Sequence, residues 1–147
     1  MRLPSPEASH QLGLSLARIV RPGDVIALSG PLGAGKTSIA RGLLAGLGLE
    51  EEAPSPSFAI VQPYAPPETR LPVLHIDLYR IDDPADAREL GFDEARFDSL
   101  LIVEWPERLG AAAWADALWL TLSVDDGGGR ALTAVVPTAW EGRWPPT

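Results

Sequence analysis

Apolar residues recur along the chain with two different periods. Leu12, Leu16, Ile19 and Val20 stand three and four positions apart, one face of an amphipathic helix. This helix is expected to run to about Val20, with Ser9 as its cap, and to stop at Arg21-Pro22-Gly23. Asp24 to Ser29 is short and almost wholly apolar, the pattern of a buried strand. A glycine-rich loop follows from Gly30 to Gly35. Ile39, Leu43 and Leu47 then predict a second helix from Lys36 to about Leu47, closed by Gly48.

The remaining segments alternate in the same way. Glu50 to Ser57 is a loop rich in acid and proline. Phe58 to Tyr64 and Pro72 to Leu78 read as two strands joined by a proline-rich hairpin loop. Pro84 to Leu90 reads as a short helix that starts on a proline after Asp83. Ser99 to Glu104 contains Leu-Leu-Ile-Val, the continuous apolar run of a central parallel strand. Ala117 to Val124 and Arg130 to Val136 form a last hairpin around Asp125-Asp126-Gly127-Gly128-Gly129. Trp140 and Trp144 are expected to pack the tail, residues 137–147, onto the body. The sum is an α/β chain: one three-layer domain over residues 1–147, with a mixed, mostly parallel sheet and antiparallel hairpins.

Composition narrows the chemistry. The 147 residues hold no cysteine, which excludes disulfides, thiolate metal sites and a cysteine nucleophile. Twenty acids against twelve bases give a net charge of −8, poor for gripping a phosphate backbone unaided. Any RNA is therefore expected to be held by a partner. No apolar run approaches the roughly 20 residues of a membrane span. The first residues also lack the apolar stretch of a signal peptide, so a soluble cytoplasmic protein without membrane contact is expected. All bases but one are arginines, and the single lysine, Lys36, lies in the strongest motif of the chain.

That motif is Gly30-Pro31-Leu32-Gly33-Ala34-Gly35-Lys36-Thr37, a match to G-x-x-x-x-G-K-T between a predicted strand and a predicted helix. Glycines let the backbone curl so that successive N–H groups point at phosphate oxygens, and the helix adds its positive end. Lys36 can reach the β and γ phosphates, and the Thr37 hydroxyl can meet Mg²⁺. Gly30, Leu32, Gly33, Ala34, Gly35, Lys36, Thr37 and Ser38 are thus candidate nucleotide contacts. Phosphate loops of this kind work with an acid at the end of a neighbouring strand. Asp77 and Glu104 each close an apolar strand, one for the metal shell and one for the attacking water, in an order the spacing leaves open. Guanine readers use an Asn/Thr-Lys-x-Asp segment, which requires a second lysine, so ATP is the expected nucleotide. His75 stands two residues before Asp77, on the same strand face. It reads first as a core residue, with a positioning role left open.

Five segments occur in a distinctive order: Gly33 to Thr37, Ser55-Pro56-Ser57-Phe58, His75-Ile76-Asp77-Leu78-Tyr79-Arg80, Glu89-Leu90-Gly91-Phe92 and Val103-Glu104-Trp105-Pro106-Glu107. From about Ser9 to Val136 the chain resembles the TsaE (YjeE) family, small P-loop ATPases of bacterial tRNA threonylcarbamoyladenosine synthesis. The resemblance implies slow ATP hydrolysis with Mg²⁺, supporting modification of the adenosine beside the anticodon. It implies two partners, a TsaD-like threonylcarbamoyl transferase and its TsaB-like paralogue. It also implies roles: Lys36 on the phosphates, Thr37 on Mg²⁺, and Asp77 and Glu104 as essential carboxylates, with Glu104 near the metal. Trp105 is implied to sense nucleotide, Ser55 to Phe58 to form a switch-like segment, and Ser9 and Arg130 to flank the adenine. Pro31 and Ser57 depart from the family's usual Asp and Thr. Little is lost if position 31 points outward, and Ser57 keeps a hydroxyl.

Two other readings share the phosphate loop. A small-molecule kinase needs arginines closing over the phosphates, and Arg80, Arg88, Arg96 and Arg108 are the candidates. A nucleotide-gated binding module needs the loop but no useful turnover.

Overall fold

A computed structural model gives the architecture and describes residues 1–51, 53, 61–88 and 91–146. Four parallel strands form its centre. These are β2 (Val25–Ser29), β4 (Val73–Asp77), β5 (Leu100–Glu104) and β6 (Leu118–Val124). Short antiparallel strands flank them: β1 (Arg2–Leu3), β3 (Val61–Tyr64) and β7 (Arg130–Val135). The order across the seven-stranded sheet is β1-β7-β6-β2-β5-β4-β3. The sheet is therefore mixed, with a parallel middle and antiparallel hairpins at both edges, as the alternating pattern predicts.

Continuous apolar strands require cover on both faces. Helices α1 (Pro6–Leu16) and α2 (Lys36–Gly46) cover one, burying Leu16, Ile39 and Leu43 over Ile26, Leu28 and Ile102. The other face holds Val25, Ala27, Ile76, Leu101 and Val103. It is closed by Phe92 of the short helix α4 (Phe92–Ala95) and by Trp114 of a 3₁₀ turn over Ala111–Trp114. Among the described residues this second layer is thin, built from single turns rather than long helices.

Two glycines set the distance between α1 and α2. A Cβ on Gly42 would lie 2.1 Å from the His10 carbonyl oxygen, and one on Gly13 would lie 2.2 Å from that of Ile39. The helices touch backbone to backbone, which brings Ser9 against the phosphate loop.

The cap of α1 differs from expectation. Ser5, not Ser9, caps the helix, its side chain accepting from the Ala8 N–H at 3.1 Å. Pro6 then occupies the first turn, where a missing N–H costs nothing. Ser9 is buried one turn inside. Among the described residues five elements escaped the periodicity argument: β1, α4 and the 3₁₀ turns over Pro106–Leu109, Ala111–Trp114 and Thr138–Trp140. All are too short to show a period. The helix expected over Pro84 to Leu90 appears as α3 (Pro84–Arg88), and Leu90 lies outside the described residues, as do the first residues of the strand expected from Phe58. The tail docks as expected. Trp140 is fully buried, and Arg143 stacks on it while binding both Asp24 carboxylate oxygens at 2.7 and 3.1 Å. Among the described residues no helix is long and apolar enough to cross a membrane.

Candidate nucleotide site

The site lies at the carboxyl ends of β2, β4 and β5. Strand β2 ends at Ser29, and the chain curls through Gly30 to Gly35 into α2. Gly30 has φ +139, and a Cβ there would lie 2.5 Å from the Leu122 carbonyl oxygen, so the loop starts wedged against β6. Gly35 has φ +106 and caps α2 without a side chain. The first N–H groups of the helix are thereby turned to the loop rather than to a capping oxygen. Pro31 and Leu32 point outward, Leu32 at 69% exposure, so the proline does not intrude on the cradle. Ala34 is buried beneath it.

Lys36 is buried at the base of this loop. Its ammonium donates to the Gly30 carbonyl and, at 3.3 Å, to that of Pro31. It also sits 3.8 Å from the centre of the Trp105 ring. Burial pushes its pKa down, and the charges of Glu104, Glu107 and Asp77 pull it back up. Lys36 is thus a buried cation whose charge is offset by these three carboxylates.

Parallel pairing brings the two strand-end acids together, because Asp77 and Glu104 are direct partners in the β4–β5 register. Glu104 is nearly fully buried, at 3% exposure. Its Oε1 accepts the Thr37 hydroxyl at 3.1 Å, and its Oε2 meets Nε2 of the fully buried His75 at 2.6 Å. Asp77 is only half-buried, with Oδ1 accepting from the Tyr79 N–H at 2.9 Å. Burial pushes its pKa up, the Tyr79 N–H opposes that, and Glu104 reinforces it. The acids thus have different environments: one buried and pinned, one open to water.

Trp105 has φ 60 and ψ 48, the left-handed region that non-glycine residues seldom enter. This turn takes the chain from β5 into the 3₁₀ turn at Pro106–Leu109. Tyr79 lies 5.0 Å from the Trp105 ring, and Arg108 lies over Tyr79. Glu107 accepts from the Ser29 hydroxyl at 3.0 Å, tying this turn to the start of the loop. On the other side of the loop, Ser9, Ser38 and Arg130 line an open pocket with Gly33, Ala34 and Gly35. Arg130 donates to the Gly33 carbonyl at 3.1 Å, so the β6–β7 hairpin is fastened to the phosphate loop.

Of the candidates named from the sequence, Ser9, Gly30, Leu32, Gly33, Ala34, Gly35, Lys36, Thr37, Ser38, Asp77, Glu104, Trp105 and Arg130 are therefore gathered around one loop. Ser55 to Phe58 lie outside the described residues. Two contributors were missed: Glu107, and His75 as the direct partner of Glu104. Both stand inside the distinctive segments, but the turn at Trp105 sets the contact of Glu107, and the β4–β5 register sets that of His75. The kinase reading loses an arginine. Arg96 binds Asp116 and the Gly23 carbonyl, which precedes β2, at the opposite end of the sheet from the loop. That hydrogen bond holds the Asp116 carboxyl below its ordinary range.

Among the described residues no group of three His, Asp or Glu side chains is gathered as a metal cage. Mg²⁺ does not need one, since it takes one or two protein oxygens and completes its shell with phosphates and water. The Thr37 hydroxyl and Glu104 carboxylate, hard donors held together at 3.1 Å, fit that pattern.

A parallel strand running into a glycine loop and helix, with acids closing the neighbouring strands, defines the class of phosphate-loop proteins. A family model described as "Threonylcarbamoyl adenosine biosynthesis protein TsaE" matches residues 3–132. The chain belongs to the TsaE family. It is 42% identical over 99 residues to the tRNA threonylcarbamoyladenosine biosynthesis protein TsaE of Streptomyces coelicolor, covering 67% of each. With the Bacillus subtilis protein of that name it shares 37% over 105 residues, 71% of this chain and 64% of the relative. The Treponema pallidum protein is 32% identical over 130 residues, 88% of this chain and 94% of its own. The match thus spans about two thirds of the first two relatives. Among solved structures, that of Bacillus subtilis YdiB superimposes with a TM-score of 0.78 at 28% identity, covering 95% of this chain and 85% of the other.

Proposed function

We propose that this chain binds ATP with Mg²⁺ and hydrolyses it in the service of tRNA threonylcarbamoyladenosine biosynthesis. In this reading it works with a TsaD-like transferase and a TsaB-like paralogue, and tRNA is gripped by those partners. The observation that carries the reading is the Thr37–Glu104 contact at the mouth of the phosphate loop. The names of the related proteins support the pathway. The net charge of −8 supports indirect rather than direct contact with tRNA.

Each residue has a part. The loop amides and the start of α2 hold the phosphates. Lys36 exchanges its carbonyl partners for phosphate oxygens. Thr37 and Glu104 hold the metal, which when bound supplies positive charge against the charge developing on the phosphates. Asp77 faces water beside Glu104 and orients the attacking molecule. Ser9 and Arg130 border the nucleoside.

The test is phosphate release from ATP, alone and with the two partners. Partner-stimulated release that is lost in Lys36→Ala and Glu104→Ala is the expected result. Transfer of the label from ATP to a metabolite instead would assign a kinase.

A further inference from the structure

Glu104 presents two oxygens, and only one faces the nucleotide site. Its Oε1 meets the Thr37 hydroxyl, whereas Oε2 is 2.6 Å from His75 Nε2. His75 is fully buried, Nε2 makes its one hydrogen bond, and its Nδ1 has no partner among the described residues. The sheet explains the meeting. His75 pairs with Ile102, so Glu104 lies one pleat further along the neighbouring strand on the same face, within reach of a long side chain. A glutamate that holds a metal is ionised and only accepts hydrogen bonds, so in the proposed site the ring Nε2–H is the donor.

We propose that His75 is a positioning residue: its Nε2–H pins Glu104 Oε2 and thereby holds Oε1 at the Thr37 hydroxyl, where Mg²⁺ is bound. The inference rests on the proposed nucleotide site and adds a residue to it. The physical logic is that of ligands oriented from behind. A glutamate has three side-chain torsions, and fixing one oxygen leaves the other little freedom. Solvent cannot do this work, because at 3% exposure the carboxylate is walled off from it. A structural role alone would need only an apolar ring of similar volume at position 75. The hydrogen bond to the functional acid is what such a ring would lack.

Calorimetric titration of ADP, with Mg²⁺ and with EDTA, tests this on the full chain. In His75→Leu, affinity in EDTA is expected to stay within about twofold, while the gain from Mg²⁺ falls by about tenfold or more, the usual effect of removing an outer-shell partner. His75→Gln, which can return an amide N–H, is expected to recover most of that gain. In a Glu104→Gln background, His75→Leu is expected to change the Mg²⁺ dependence no further. A His75→Leu protein that binds Mg²⁺–ADP as the wild type does would overturn the proposal. So would equal losses in Leu and Gln variants, or losses as large in EDTA.

Long-range ¹H–¹⁵N spectra of the wild-type protein without nucleotide supply a reading independent of binding and of whether His75→Leu folds. They are expected to show His75 protonated at Nε2, with that signal displaced in Glu104→Gln. Protonation at Nδ1, or no response to Glu104→Gln, overturns the positioning role. If the wild type fails to bind ADP at all, the proposed function fails, while the spectra still decide the His75–Glu104 relationship.

Discussion

The Thr37 hydroxyl donates to Glu104 Oε1 at 3.1 Å, across 67 residues of sequence. One atom pair thus joins the first turn of α2 to the end of β5. In the proposed function these two residues hold one metal and act as a unit, so their substitutions should not add. Thr37→Ala and Glu104→Ala are each expected to lower partner-stimulated hydrolysis by about 100-fold or more, and the double variant by no more than the worse single one. Single-turnover rates of the four proteins check this.

Asp77 lowers the stability of the fold when it is ionised. Its folded-state pKa is raised above the ordinary 3.8, chiefly by burial. The folded protein therefore binds more protons than the unfolded chain in the window just above 3.8, and stability falls as pH rises through it. Asp77→Asn removes that penalty. The variant is expected to melt higher than the wild type at pH 7, with the gain shrinking toward pH 3.8, while hydrolysis is lost. Melting curves against pH decide it.

Lys36 carries the opposite sign at the opposite end of the scale. Its pKa lies below the ordinary 10.5 because of burial. Between its folded value and 10.5 the unfolded chain binds more protons, so this group makes stability rise with pH there. Lys36→Met is expected to flatten that alkaline rise and to abolish binding of nucleotide phosphates. Denaturant titrations at several alkaline pH values, with nucleotide affinity measured alongside, check both parts.

Gly42 sits where two helices meet backbone to backbone. An alanine Cβ would lie 2.1 Å from the His10 carbonyl oxygen, and the helices must part to admit it. Gly42→Ala is expected to cost about 1–3 kcal/mol of stability despite the better helix propensity of alanine. It should also weaken nucleotide binding, since α1 carries Ser9 to within 3.4 Å of the Cβ position of Gly35. Equilibrium unfolding in urea measures the first effect.

Ser5 and Ser9 both line the pocket beside the loop, but only Ser5 caps α1. Ser5→Ala is expected to cost about 1 kcal/mol by loss of the bond to the Ala8 N–H. Its nucleotide affinity is expected to fall less than that of a Ser9 variant, because the Ser5 hydroxyl is engaged with the Ala8 N–H while Ser9 is the one against Gly35. Ser9→Val is expected to reduce affinity by crowding Gly35. Urea unfolding and calorimetry on the two variants distinguish these roles.

Much of this arrangement was legible in residue order. The run from Val25 to Thr37 encodes strand, loop and helix at once, because apolar continuity, glycine spacing and the Lys-Thr pair each constrain the backbone. Asp77 and Glu104 could be found as acids closing apolar strands. Their adjacency could not, since it depends on β4 and β5 being parallel neighbours in one particular register. The same register hid the His75–Glu104 contact. The cap of α1 differs from expectation because Ser9 sits near the first periodic leucine, whereas Ser5, four residues earlier and followed by Pro6, carries the stronger start signal. Elements of two to four residues, such as Arg2–Leu3 and Phe92–Ala95, leave no period to read.

Titration of wild-type protein and Glu104→Gln with ATP, each with and without Mg²⁺, tests the central claim most directly. The account predicts that Mg²⁺ strengthens ATP binding to the wild type and that this gain disappears in Glu104→Gln, with metal-free affinity retained. An identical Mg²⁺ dependence in the two proteins, or no ATP binding by the wild type, would contradict it.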